Sequence, residues 1–292
     1  PGRLDRDVWL ARLADMLIDA DIPPGMTGLM ERARAQSLHQ PLATFWLLQD
    51  AFLRGDLPGA GAFADELLRM QQDVYPLVAP ILARIVDAYN AVGVKDIVVV
   101  RGYKKETVNL PNLTYVDNDD YADTGELASL LKGLQSRKDR AQQTLISYGD
   151  VLFNTYIPQS LCQEADDCVI FLDSNWREQT SYARLGGFAE CTVPNSRKAF
   201  NAKVYLKHLG DEIPEASTHG VWMGFLKVSP AAATLITAVI TELLAQPGNR
   251  KATIPHLIQE LLKRGQPIRV LYTVGHWLDI NSLEDVVQAG EF

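Results

Sequence analysis

Apolar residues recur at helical spacing along the first part of the chain. In DRDVWLARLADMLIDA, Val8, Leu10, Leu13, Met16 and Leu17 fall close to one stripe of a helix. The breaker DIPPG comes next, then GLMERARAQS, then PLATFWLLQDAFLRG, which opens on Pro41 and stops at Gly55. DLPGAG interrupts again ahead of AFADELLRMQQ, and no strand-like alternation occurs in this stretch. Residues 1–75 are expected to be all-helical, a small bundle of about four short helices or a helical appendage docked on the next domain.

From Pro76 the pattern changes. Ile81–Val92 reads as an amphipathic helix closed by Gly93, and DIVVVR (Asp96–Arg101) as a β-branched buried strand. Leu113–Val116 is a short strand, and Glu126–Gln135 a helix opened by the cap signal Asp123–Thr124. A strand over 144–149, a helix near 156–165 and the strand CVIFLD at 168–173 come next. Between 185 and 229 lie several strand candidates, AECTV and VWMGFLKV among them. Pro230 then opens a long helix, succeeded by a helix at 254–264, a strand over Ile268–Val274 and a terminal helix from Ser282. Strands alternating with helices predict an α/β domain over residues 76–292, with a mainly parallel mixed sheet covered on both faces.

Composition narrows the choice. Of 292 residues 47% are hydrophobic and 22% charged, the balance of a globular chain. The longest apolar runs, VAPILARIV and ATLITAVI, are too short to span a bilayer, so neither a membrane segment nor a signal peptide is expected. Cys162, Cys168 and Cys191 show neither metal-ligand spacing nor an even-numbered framework, which fits a reducing, cytoplasmic setting. The formal charge of −8 argues against a nucleic-acid partner, which needs a basic surface. It does not argue against a single nucleotide, whose phosphates Mg²⁺ and a few local lysines or arginines can meet.

Two segments carry the chemistry. TLISYGDVLF (Thr144–Phe153) delivers Asp150 behind Gly149 at the end of a strand, and IRVLYTVGHWLDINSLED carries a strand and then Asp279. Ligands of open α/β sheets bind at the carboxyl ends of strands, and two aspartates brought to one such edge can hold Mg²⁺ against nucleotide phosphates. Lys104 and Lys105 come after a strand, placed either to meet a phosphate or simply to be solvated. Thr124, Gly125 and Glu126 form a helix cap or part of a site. Asp173 and Trp176 pair a carboxylate with an indole, a combination that binds ammonium head groups, or else are a turn aspartate and a partly buried tryptophan. His276 and Trp277 precede Asp279, where packing is the simpler expectation.

Taken in order, VGVKDIVVVRGYKKE, DNDDYADTGELASL, LISYGDVLF and GHWLDINSLEDV resemble the nucleotidyltransferases of phosphonate and phosphocholine metabolism, in particular the domain often fused to phosphoenolpyruvate phosphomutase. The resemblance covers about residues 80–292 and implies a Rossmann-like fold. It also implies an activity: CTP or another NTP plus a small phosphonate or phosphate-ester acceptor yields a nucleotidyl-linked product and pyrophosphate. By the family pattern Asp150 and Asp279 would hold the catalytic Mg²⁺. Thr124, Gly125 and Glu126 would lie near the nucleotide or acceptor; beside the family pattern, Lys104 is a candidate phosphate contact and Asp173 with Trp176 a candidate contact for the acceptor's head group. Residues 1–75 would then serve a homo-oligomer or a protein partner.

The chain departs from that pattern at one point. Members of the family begin with a strand and a glycine-rich loop, broadly AAGxGxR, whose backbone amides cradle the triphosphate. Just upstream of PILARIVDAYNAVG this chain has only DVYPLVA. GDLPGAGAF has glycines but no Arg or Lys partner after it. Loss of the loop would leave a nucleotide-binding or scaffolding protein derived from such an enzyme. Retention of both aspartates favours the enzyme, with a sugar-1-phosphate nucleotidyltransferase as the variant within that class.

Overall fold

The computed structural model describes residues 75–178, 187–197 and 202–280, with isolated positions between 47 and 63 and at 285 and 289. The helices expected over 1–75, the partner-docking role of that region and the terminal helix from Ser282 lie outside the described residues, those positions apart. The chain divides into two compact units, Pro1–Pro76 with Ser282–Phe292, and Leu77–Asn281. The second carries the sheet and the site.

Helix α1 (Tyr75–Ala91) buries Leu82, Ile85 and Tyr89, three residues at helical spacing, and ends before Gly93 at φ 88°. It begins at Tyr75 rather than at Ile81, so the YPLVA stretch is helix. Strand β1 (Val98–Arg101) pairs in parallel with β2 (Thr114–Asp117). Helix α2 (Glu126–Ser136) comes next, then the short strands β3 (Thr144–Ile146) and β4 (Val151–Phe153). After them stand α3 (Tyr156–Gln163), β5 (Cys168–Asp173), β6 (Phe188–Cys191), β7 (Val204–Leu209) and β8 (Gly220–Val228). Helices α4 (Pro230–Ala245) and α5 (Ile254–Lys263) precede β9 (Arg269–Thr273) and β10 (Trp277–Asp279).

Six strands form one sheet in the order β3-β8-β5-β9-β7-β6, with the start of β8 also reaching β6. The expectation of a mainly parallel sheet needs correcting. Among the described residues only β1–β2 and β5–β9 pair in parallel, while β8 runs antiparallel to β3, β5 and β6, and β7 antiparallel to β6 and β9. Helical crossovers do set β3 and β5 in the same direction, as the helix–strand alternation implied. But β8, arriving from the strand-rich middle of the chain, inserts between them in the opposite sense.

Every residue of β5 and β8 is buried, as expected of strands covered on both faces. Against them pack Ala233, Ile236, Val239 and Ile240 of α4 and Leu257, Ile258 and Leu261 of α5. Each isoleucine or leucine fully buried in this way contributes about 1.5–3 kcal/mol. The Ser229 side chain caps α4 by accepting from Ala232 N at 3.1 Å, with Pro230 in the first turn. Lys227 crosses the core to donate to the carbonyls of Glu164 and Asp166, both at 2.8 Å, tying the α3–β5 connection to β8. Among the described residues no helix is long and apolar enough to cross a membrane.

One irregularity in the sheet bears on the site. The β5–β8 register shifts between Ile170 and Leu172, and Gly224 lies in the bulge at φ +82°. A Cβ on Gly224 would meet Cδ2 of Tyr148 at 2.5 Å, so the glycine leaves room for that ring.

Candidate active site

Asp150 and Asp279, far apart in the chain, are backbone neighbours. Strands β4 and β10 form an antiparallel ribbon in which Phe153 opposes Trp277, Leu152 opposes Leu278 and Val151 opposes Asp279. Ile280 N donates to Asp150 O at 3.0 Å, which extends the ladder by one bond. The burial of Val151, Leu152 and Phe153 sets the register, and the edge contacts of Phe153 with Tyr89 and Phe225 hold the ribbon's far end. The sequence suggests two free strand ends; the two aspartates instead ride on one ladder. A side chain at Gly149 would point into open space.

Asp150 is an exposed residue whose carboxylate is partly desolvated by the surrounding protein. That desolvation raises its pKa above the usual carboxylate range. Its own backbone N–H offsets part of the rise and the charge of Glu126 adds to it. A carboxylate in this state gains from a cation. Among the described residues no three His, Cys, Asp or Glu side chains converge on one metal-sized point. Asp150 and Asp279 are the two carboxylates nearest each other along this ribbon, and an ion held by two carboxylates would finish its shell with phosphate and water oxygens, which is the habit of Mg²⁺.

Tyr148 is the site residue that sequence reasoning missed. Its hydroxyl donates to Glu126 Oε2 at 2.7 Å, and its ring meets Trp222 edge-on at 5.7 Å. Burial first, then the charges of Glu126, Asp150 and Asp279, push its pKa far up, so the hydroxyl stays a donor at any working pH. The signal available in the sequence was Gly224 inside the apolar strand VWMGFLKV, since a strand glycine often marks a bulge or a close approach.

Glu126 is also the residue that joins two helices. Besides the Tyr148 hydroxyl, Oε2 accepts from Ile254 N at 2.9 Å, so the first turn of α2 holds the first turn of α5. Gly125 N donates to Arg250 O at 2.7 Å, and a Cβ on Gly125 would stand 2.5 Å from the backbone of Lys251. Thr124 Oγ1 accepts from the buried Asn118 at 3.0 Å and donates to Asp120 O at 2.8 Å. These three residues are thus engaged within the fold, with Glu126 close enough to Asp150 for its charge to be felt. Lys104 adopts a left-handed conformation at φ 47° after β1, its ammonium 5.7 Å from the Tyr103 ring centre, while Lys105 pairs with Asp117 and Asp119.

Asp173 and Trp176 are buried. Asp173, only 1% exposed, accepts from Asn175 N at 2.8 Å, Gly275 N at 3.3 Å and Trp277 Nε1 at 2.9 Å. Its carboxylate fastens the end of β5 to the turn leading into β10. Trp176 packs edge-on against Phe188 at 5.2 Å beneath the Arg177 guanidinium. Both side chains are buried in the interior. Burial raises Cys168 to about 12 and Cys191 to about 11, which leaves both thiols protonated near neutral pH.

The same architecture occurs in solved nucleotidyltransferases. A UDP-glucose pyrophosphorylase complexed with UDP-glucose superposes with a TM-score of 0.55 at 14% identity, covering 72% of this chain and 85% of the other. The inositol-1-phosphate CTP transferase from T. maritima gives 0.53 at 13% identity, covering 70% and 78%. At such identities the likeness is one of fold. No curated protein sequence is significantly similar to the chain. Residues 67–278 match the model of the MobA-like NTP transferase domain. That match takes in α1, the whole six-stranded sheet, β4 and the first two residues of β10, and the chain belongs to the MobA-like NTP transferase domain family.

Proposed function

We propose that this protein is a Mg²⁺-dependent nucleotidyltransferase that moves CMP from CTP onto a small phosphonate or phosphate-ester acceptor and releases pyrophosphate. The observation that supports the reading is the ladder that brings the backbones of Asp150 and Asp279 together, with the charges of both carboxylates felt at Tyr148. In the reaction an acceptor oxyanion forms a new bond to the α-phosphorus while the bond to the bridging oxygen of the β-phosphate breaks, and the electron pair leaves with pyrophosphate. An acceptor that is already an anion needs no general base, so the protein's work is positioning and charge neutralisation. Mg²⁺, when bound, supplies positive charge against the phosphate oxygens, and Asp150 and Asp279 are the residues that would hold it. Tyr148 and Glu126 are hydrogen-bonded to each other near Asp150, which feels the Glu126 charge. Lys104, just after the carboxyl end of β1, would on this reading meet a phosphate. Cytidine as the base and a small acceptor are inferred from the motif resemblance and from the fold shared with a CTP transferase.

One observation favours a second reading. The stretch from Tyr75 to Pro80, where the phosphate-cradling loop of the family would lie, is helical. On that reading the domain binds a nucleotide without transferring it. Pyrophosphate release with Mg²⁺ and each NTP separates the two, using 2-aminoethylphosphonate, other phosphonates, phosphocholine and hexose-1-phosphates as acceptors. Turnover with CTP and one small acceptor is expected. Turnover with hexose-1-phosphates alone moves the assignment to sugar nucleotides. Silence across the panel from folded protein overturns the transferase reading in favour of the second.

A further inference from the structure

We infer that His276 is a binding residue for the anionic group of the acceptor, presented by a strained turn between β9 and β10. The inference rests on the nucleotidyltransferase reading above and gives that site an acceptor contact. Gly275 and His276 are consecutive residues in the left-handed region, at φ 65° and 64°. Glycine takes that conformation freely and histidine does not, so the surroundings must hold it there. They do so from several sides. Asp173 accepts from Gly275 N and from Trp277 Nε1, and His276 O accepts from Asn154 N at 3.1 Å. The Tyr156 hydroxyl lies 3.3 Å from His276 Nδ1, and the two rings stand perpendicular with centres 5.7 Å apart. The result is an exposed imidazole held in one orientation.

Its location adds to the case. The turn sits at the carboxyl end of β9, beside that of the parallel strand β5, the edge of an α/β sheet where ligands bind. Other donors share the edge: Ser174 Oγ donates to Thr273 O at 3.0 Å, and Asn195 Nδ2 donates to Ser174 Oγ at 2.7 Å. His276 precedes Asp279 by three residues, a backbone span of at most about 10 Å. On this proposal one small acceptor spans the imidazole and the aspartates, its reacting oxygen toward the latter. In the tautomer in which Nδ1 accepts from the Tyr156 hydroxyl, Nε2 carries the hydrogen and donates outward, which suits a phosphonate or phosphate oxygen; the same hydroxyl also contacts Thr273 Oγ1.

A histidine that merely packs on Tyr156 makes the opposite forecast from a histidine kept strained for binding. The test compares His276→Gly, His276→Asn and Tyr156→Phe with the wild type in three measurements: thermal melting, acceptor and NTP kinetics, and imidazole ¹⁵N resonances titrated with inorganic phosphate. Glycine and asparagine both tolerate the left-handed region, so these variants are expected to melt no lower than the wild type. Their acceptor KM is expected to rise about tenfold or more with the NTP KM held within about twofold, the loss of one good hydrogen bond. Phosphate is expected to move the His276 Nε2 resonance in the wild type and to move it less in Tyr156→Phe. Wild-type acceptor KM in both His276 variants, or an Nε2 resonance indifferent to phosphate, overturns the assignment. Should the wild type turn over no acceptor, the transferase reading fails on that result, and the phosphate titration still decides whether His276 is an anion contact.

Discussion

Replacing Gly224 by alanine asks whether the β8 bulge exists to seat Tyr148 against the carboxylates. Two penalties are readable from the structure. Gly224 lies at φ +82°, and an L-residue forced there loses about 1–2 kcal/mol. The added methyl would also stand 2.5 Å from Cδ2 and 3.1 Å from Cε2 of Tyr148, an overpacking that costs about 1–3 kcal/mol. The sum, about 2–5 kcal/mol, is a large part of the roughly 5–15 kcal/mol that holds an ordinary domain together. The ring can escape only by drawing its hydroxyl away from Glu126, so turnover should fall along with stability. Urea denaturation of the wild type, Gly224→Ala, Tyr148→Ala and the double variant isolates the clash. With the ring gone, the alanine should cost only its backbone strain, leaving a coupling of about 1–3 kcal/mol between the two sites. An equal cost of Gly224→Ala in both backgrounds would falsify the seating argument. So would no cost in either.

The other substitutions probe separate links. Asp150→Asn should abolish Mg²⁺-dependent pyrophosphate release while leaving the fold intact; retained turnover rules out the metal role. The same variant carries a pH signature. A carboxylate whose folded pKa is raised costs stability as pH rises through that value, so the wild type should lose stability across that step and Asp150→Asn should not. Asp117 makes the opposite case. Arg101 first, with Lys105, holds its pKa below the usual range, so its contribution is present above about pH 4 and lost on acidification. Asp117→Asn should therefore flatten the acid limb of a stability-against-pH curve, and an unchanged limb argues against the pairing. Asp173→Ala strips an acceptor from three N–H donors at the β9–β10 turn and should destabilise by about 3 kcal/mol or more in urea denaturation. A loss below about 1 kcal/mol, the worth of a single ordinary hydrogen bond, would mean that the turn stands without it.

What could be read in the sequence was whatever depends on neighbours along the chain. The CVIFLD strand, the proline-opened helix at 230 and the helix at 254 all appear where periodicity and capping put them, because their signals lie within a dozen residues. The direction of β8 was not legible. An apolar strand buried on both faces looks the same in either sense, and only its insertion between β3 and β5 decides. Motif order alone pairs Asp150 with Asp279, but the ladder between them needs the three-residue strands β4 and β10, too short to announce themselves. Asp173 shows the limit most sharply. A carboxylate at a strand end beside a tryptophan reads as a ligand site, and the same atoms serve as well to accept N–H groups from a turn about a hundred residues away. Local sequence cannot separate the two uses, because the difference lies in which donors the topology brings to the carboxylate. Here it brings Gly275 and Trp277, the residues on either side of His276. Asp173 therefore holds the turn that presents His276.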